Sequence, residues 1–529
     1  MNSSKIILNN FLYNSGIVGF YKILKEANKE NLVQVDGNCI YVKNEALENF
    51  EEDYFNTIIN TFEEDTKWYA ITNSEEKLIQ LNEEEQKQEL EHLTKRIKDA
   101  MESASYKSGY EIIKDKTEEN PYELLKQLKK STDMNEQKEI LLKIIKHLKD
   151  NKEIYCMKDI IYTKVNCFWS NVAFLNRSAN KKDMKEEYKK VFVMPAQKYV
   201  KSKQEGTYQC VECGQAIEKQ EASGMSFLND VGVDINRKKS GFWNFKEDML
   251  ICPICNLIYS CVPLGFTMIG SNGIFINSNR SLTNLLQENE LIKIEKLTEE
   301  NTLEKVYNKI ITYYINQMDK MTLEKRTKYE PRNIQVIKRV GQKDNQHYEF
   351  NIISKDKLEV IKRASNDLKK VSKSSVYNDV VKNVIQNIKQ YILISKLLRE
   401  KDYRHIKEIL KIEAATMEGG INLKTRKECI EDMIHEGELL QIYFYKNNEN
   451  KNKLESYGFK LQNALKVNSV EEFMKLFTLF YGSLNKAMPN GEAMKRLIED
   501  PEDFRLLGYA YIYGLGKVID KKGGNEDEE

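Results

Sequence analysis

Proline is scarce, with seven in 529 residues, and glycine is modest at 24. That excludes a collagen-like or Pro/Gly-rich disordered chain and favours long helices. Net charge is nearly absent: 82 basic residues stand against 81 acids. No global field therefore draws the chain toward nucleic acid or membrane, and any polyanion site must come from local patches. Arginine is thin beside lysine, although arginine is the usual bidentate reader of guanine and phosphate. The five histidines are scattered, and none is adjacent to aspartate. No Walker-A loop, His-Glu-x-x-His or Gly-x-Ser-x-Gly occurs; His435-Glu436 is followed by Leu439 where a zincin needs histidine. No enzyme signature stands out.

Nine cysteines are too few for a disulfide scaffold, and an odd count leaves at least one thiol unpaired. A reducing cytoplasm is the expected setting. Two uncharged runs imitate membrane segments. Ile6–Tyr21 is interrupted by Asn9, Asn10 and Asn14 and is followed by no cleavage site, so it is expected to be a buried amphipathic helix. Residues 249–279 are broken by Pro253, Asn256, Pro263, Gly265 and Gly270, and are expected to form buried strands and turns.

What is present is hydrophobic periodicity over a chain long enough for three to four domains. The fold class expected is α+β: a mostly helical multidomain chain with a zinc-binding β module and a C-terminal helical bundle. Residues 1–205 read as a mainly helical region with a short hairpin. Within it, 5–29 form a helix and Asp36-Gly37-Asn38 turns the hairpin at 32–42. Residues 45–91 hold 15 acids and three lysines. Phe50, Tyr54, Phe55, Phe62, Trp68 and Tyr69 anchor them, so the region is expected to be folded with an acidic face. Helices continue over 120–150 and 153–200, with Phe168-Trp169 and Phe174 in the core. Residues 206–280 form the cysteine module, 281–355 linking helices and a basic hairpin, 356–520 the helical bundle, and 521–529 a disordered tail. A bundle of about 375–519 is expected to fold alone, with Lys382, Lys389 and Lys396 on one helical face.

The clearest chemical pattern is Cys210-Val-Glu-Cys213-Gly214 and Cys252-Pro-Ile-Cys255-Asn256. Thiolates two residues apart can take adjacent vertices of a tetrahedron. Four of them suit Zn²⁺, which has no ligand-field geometry to satisfy. Gly214 and Asn256 follow each second cysteine, where positive φ is often required. The alternative is buried free cysteines or a redox pair, but a redox Cys-x-x-Cys needs no second copy. Four thiolates leave no open vertex, so the expected role of zinc is structural. Cys261 is a possible substitute ligand but reads better as core; Cys39, Cys156, Cys167 and Cys429 read as packing.

Two basic elements are candidates for nucleic acid. Residues 235–246 carry Arg237, Lys238, Lys239 and Lys246 without an acid, among Phe242, Trp243 and Phe245. Cations beside aromatic faces suit phosphates and stacked bases; alternatively the aromatics pack on the metal module and the lysines are solvated. Residues 321–343 are also basic and include Arg332, Lys338 and Arg339 on the second expected hairpin, at 332–353. A solvated strand face is the other reading there. The basic stretch 181–203 is broken by acids and reads as a solvated helix face.

LYNSGIVGFYKIL (12–24), CVECG (210–214), FWNF (242–245) and CPICNLIYSCVPLGF (252–266), in this order, resemble the large subunit of type I CRISPR effector complexes, in particular the zinc-containing group of type I-B. The resemblance implies a non-catalytic subunit of an RNA-guided antiviral surveillance complex, holding guide RNA and target DNA together with CRISPR backbone subunits. It implies a share in recognising the protospacer-adjacent motif, opening the duplex and contacting the displaced strand. Docking of a helicase-nuclease is implied as well, and no membrane association. Guide pairing reads the sequence in such complexes, so the protein needs only short duplex-reading and backbone contacts. The other readings are a zinc-ribbon structural scaffold without nucleic-acid binding, and a nuclease with dispersed carboxylates.

Overall fold

The computed structural model describes residues 3–75, 83–117, 119–131, 133–202, 205–231, 249–278, 281–293, 302–320, 333–341, 346–417, 422–446 and 451–517. It is 67% helical with small antiparallel sheets, which makes it α+β and mostly helical, as expected. The chain divides into two compact units. The first holds Met1–Lys296 and Ile334–Ile352, the second Leu297–Asn333 and Ile353–Glu529. No helix among the described residues is long and apolar enough to cross a membrane.

In the first unit the chain begins with a strand, β1 (Ser3–Ile7), and not with the helix expected from residue 5. This strand pairs antiparallel with β3 (Cys39–Lys43), which also pairs with β2 (Val33–Asp36). The hairpin between β2 and β3 turns at Gly37, whose φ of 58° is costly for a residue with a Cβ. The first helix spans Phe11–Glu26 and starts where the Asn10 side chain accepts from Tyr13 N at 2.9 Å. Every residue from Leu12 to Phe20 is buried, so this helix runs through the core rather than along its surface.

The described parts of the acidic region are folded, with Phe50, Tyr54, Phe55, Phe62 and Trp68 buried and Tyr69 half-buried. Several of its acids meet cations. Glu51 pairs with Lys189 and Glu52 with Lys185, each at 2.6 Å, so the basic stretch at 181–203 meets the acidic one. Helix does not continue through 153–200. Between Lys152–Thr163 and Met184 only two short 3-10 helices occur, Val165–Cys167 and Ala173–Leu175, and Phe168, Trp169 and Phe174 fill the core from this stretch. The helix resuming at Met184 passes through one π turn, Lys189–Val193, before Met194–Lys201. Pro195 cannot donate the hydrogen bond an α-helix requires there, and the wider turn accommodates the loss.

The sheet that closes this unit runs β6 (Thr267–Ile269), β7 (Asn272–Asn277), β8 (Ile334–Val340), β9 (His347–Ile353). The strands expected at 332–353 are therefore β8 and β9, and β7 pairs with β8 in the register Phe275↔Ile337.

In the second unit, Asn387 caps the helix Tyr377–Gln386 in the left-handed conformation, and a new helix starts at Tyr391. Lys382, Lys389 and Lys396 thus fall on two helices and their connection, not on one stripe. Lys389 is paired with the buried Glu413 at 3.2 Å. Pro501 opens the helix Pro501–Gly516 behind its Asp500 cap, whereas Pro489 stays in the preceding loop.

Two helices upstream of residue 375 belong to the same unit, Thr302–Lys320 and Lys355–Val371. The second buries Leu358, Ile361, Leu368 and Val371. At about 1.5–3 kcal/mol per buried aliphatic side chain, those four alone match a typical domain's net stability of about 5–15 kcal/mol. A fragment limited to 375–529 is therefore expected to lack a cooperative thermal transition by circular dichroism. A sharp transition would show that both upstream helices are dispensable to its core.

Candidate metal centre and the expected nucleic-acid contacts

The first knuckle is set by a minimal hairpin, β4 (Tyr208–Gln209) against β5 (Ala216–Ile217). Cys210 N donates to Gln215 O, and Gly214 N donates to Cys210 O at 2.8 Å while Gly214 takes a φ of 71°. The chain thereby doubles back within five residues and presents Cys210 and Cys213 on one side. The second knuckle starts a helix. Cys252 caps Pro253–Ser260, with Pro253 in the first turn, where its missing N–H costs nothing. The two knuckles are joined by Val211 N to Leu250 O at 3.0 Å and by paired backbone bonds between Ser223 and Ile251.

The sulfurs of Cys210, Cys213, Cys252 and Cys255 lie within 4.8 Å of one another, and none is in a disulfide. Cys213 Sγ is 3.7 Å from Cys252 Sγ. Four sulfurs around a tetrahedral ion at ~2.3 Å stand about 3.8 Å apart, so the residues fit a closed four-thiolate metal site. Three of the four cysteines are buried. Backbone amides of the second knuckle reach the sulfurs: Cys252 N to Cys210 Sγ at 3.3 Å and Cys255 N to Cys252 Sγ at 3.4 Å.

Cys261 is fully buried outside this cluster, and its thiol donates to Leu257 O at 3.3 Å; burial pushes it up to about 12. Cys39, Cys156, Cys167 and Cys429 join no metal-binding group among the described residues. Burial likewise pushes the Cys156 thiol up to about 12, as suits a packing residue.

The beginning of the chain clasps both knuckles, a contact that composition and spacing do not reveal. Tyr13 O–H lies 3.0 Å from Cys255 Sγ, and burial together with the cysteine sulfurs raises its pKa far above the ordinary tyrosine value. Glu212, between the two cysteines of the first knuckle, accepts from Asn9 Nδ2 at 2.8 Å and from Asn10 Nδ2 and the Tyr259 hydroxyl. Burial raises the Glu212 pKa, and those donors oppose the shift. Below the clasp the helices touch backbone to backbone. A Cβ on Gly16 would stand 2.4 Å from Ile258 O, and one on Gly265 1.9 Å from Ser15 O. The Ser15-Gly16…Gly19 spacing was the available signal for this crossing, and it lies inside the 12–24 segment.

The expected nucleic-acid contacts fare differently. Arg237, Lys238, Lys239, Trp243 and Arg332 lie outside the described residues. Lys338 is half-buried and 3.8 Å from Glu349. Arg339 is corrected: it is 0% exposed and has no open face for a phosphate. Its guanidinium donates to Gln346 Oε1 at 3.1 Å and Ser271 O at 3.4 Å, lies 3.9 Å from the Asp230 carboxylate, and covers the Phe168 ring at 5.3 Å. A charge taken this far from water needs such partners, and they turn it inward.

Residues 203–267, which contain both knuckles, match the family described as CRISPR-associated protein (Cas_CXXC_CXXC). No curated protein and no solved structure matches the chain. The family match and the four-thiol cluster inside it together support a CRISPR-associated protein.

Proposed function

We propose that this chain is the non-catalytic large subunit of a type I CRISPR effector complex of the I-B kind, with one structural zinc held by Cys210, Cys213, Cys252 and Cys255. The carrying observation is that the CRISPR-associated match falls on a segment whose four sulfurs close around one point. Zinc suits four thiolates because it is borderline-soft and indifferent to ligand-field geometry. In this role the subunit shares guide RNA and target DNA with backbone subunits, helps recognise the protospacer-adjacent motif and open the duplex, and docks a helicase-nuclease. Its site is the cytoplasm.

The second reading, a metal-stabilised scaffold that touches no nucleic acid, is favoured by the inward-facing Arg339. Native purification of the tagged chain from cells carrying its system separates the two. Guide RNA of uniform length is expected to co-purify together with backbone subunits. A chain that emerges alone and free of RNA overturns the effector-complex reading.

A further inference from the structure

The Tyr13 hydroxyl is the side-chain group outside the two knuckles that reaches a sulfur of the cluster among the described residues. It does so across 242 positions of sequence. When a metal is bound, Cys255 Sγ is a thiolate, so the hydroxyl is the donor. Contacts other than the sulfur also hold the ring. It is 0% exposed, packs on Tyr259 with centroids 5.3 Å apart, and follows a backbone N–H tied to Asn10 Oδ1.

We propose that Tyr13 is a positioning residue of the metal centre, holding Cys255 in its ligating orientation and drawing charge from its sulfur. This rests on the metal reading above and adds a residue from a distant element to it. A thiolate that accepts an O–H bond is less basic, so protons and competing chelators displace its metal less readily. Partners of this outer kind are worth about 10–100-fold in metal affinity.

The test uses the full-length protein loaded with zinc for chelator competition and with cobalt(II) for spectroscopy. Tyr13→Phe keeps the ring and removes the hydroxyl. It is expected to release zinc to a chelator at about 10–100-fold lower chelator concentration. Its cobalt–thiolate charge-transfer band is expected at lower energy, because the sulfur becomes more electron-rich. Tyr259→Phe removes a hydroxyl that reaches Glu212 but no sulfur, and its band should stay at the wild-type position. Fluorotyrosine at position 13 has a more acidic hydroxyl and should move the band the other way, which keeps the test decisive if the phenylalanine variant folds poorly. An unmoved band and unchanged zinc affinity in a metal-loaded Tyr13→Phe overturn the proposal alone. A wild-type protein that takes up neither zinc nor cobalt overturns the metal reading, and this proposal with it.

Discussion

Cys252→Ser is expected to give protein without metal and without a folded first unit. Cys252 is 1% exposed, caps the helix Pro253–Ser260 and accepts from Cys255 N, so its loss reaches both the metal and the helix start. That helix is central. Its last residue, Ser260, offers its carbonyl to Tyr54 O–H at 3.2 Å and Trp169 Nε1 at 3.1 Å, two groups buried in the same core. Apparent binding energies of structural zinc are about 10–16 kcal/mol. This equals or exceeds the whole net stability of an ordinary domain, about 5–15 kcal/mol. Elemental analysis and thermal melting of wild type and variant check it. A variant that melts like wild type, or a wild type that is folded and metal-free, would sink the expectation.

Asp503→Ala is expected to lower the melting transition of the second unit steeply while leaving the metal content unchanged. Asp503 Oδ1 accepts from Arg426 Nε at 2.8 Å, with both side chains at most 2% exposed, and Asp503 Oδ2 lies 3.5 Å from Arg496. Removing the carboxylate takes the paired negative charge away from the buried Arg426 guanidinium. Breaking a buried pair from one side costs about 3–5 kcal/mol, far more than an exposed pair. At about 2–4 °C per kcal/mol for a unit of this size, the transition should drop by roughly 6–20 °C. Differential scanning calorimetry reads it; a fall of only a degree or two would mean that water or neighbouring groups replace the carboxylate.

The two knuckles were legible because everything that specifies them is local. Two cysteines two residues apart, followed by Gly214, describe a turn that geometry then has little freedom to alter, whereas Asn256 lies inside the helix Pro253–Ser260 and takes no positive φ. The hairpin at Gly37 and the helix opening at Pro501 are legible for the same reason. What sequence periodicity misses is decided by partners far along the chain. β1 is a strand because β3 offers it an edge more than thirty residues later. Arg339 carries the same charge as a solvent-facing strand residue, and only the positions of Asp230, Gln346 and Phe168 turn it inward. The seven-residue lysine spacing suggested one face until Asn387, at a φ of 55°, ended the helix between them. Tyr13 looks like any core aromatic until its partner proves to be a sulfur of the four-cysteine cluster.

The crossing of Phe11–Glu26 over Pro253–Gly265 also sets a clock for the chain's synthesis. The helix leaves the ribosome almost 240 residues before the segment that its glycines are shaped to meet. At about 5–20 residues per second, that delay is on the order of 10–50 s. Throughout it, Phe20 can already stack on Phe50, but the glycine face of the helix has no partner to close on. A helix made well before its partner is thus packed late.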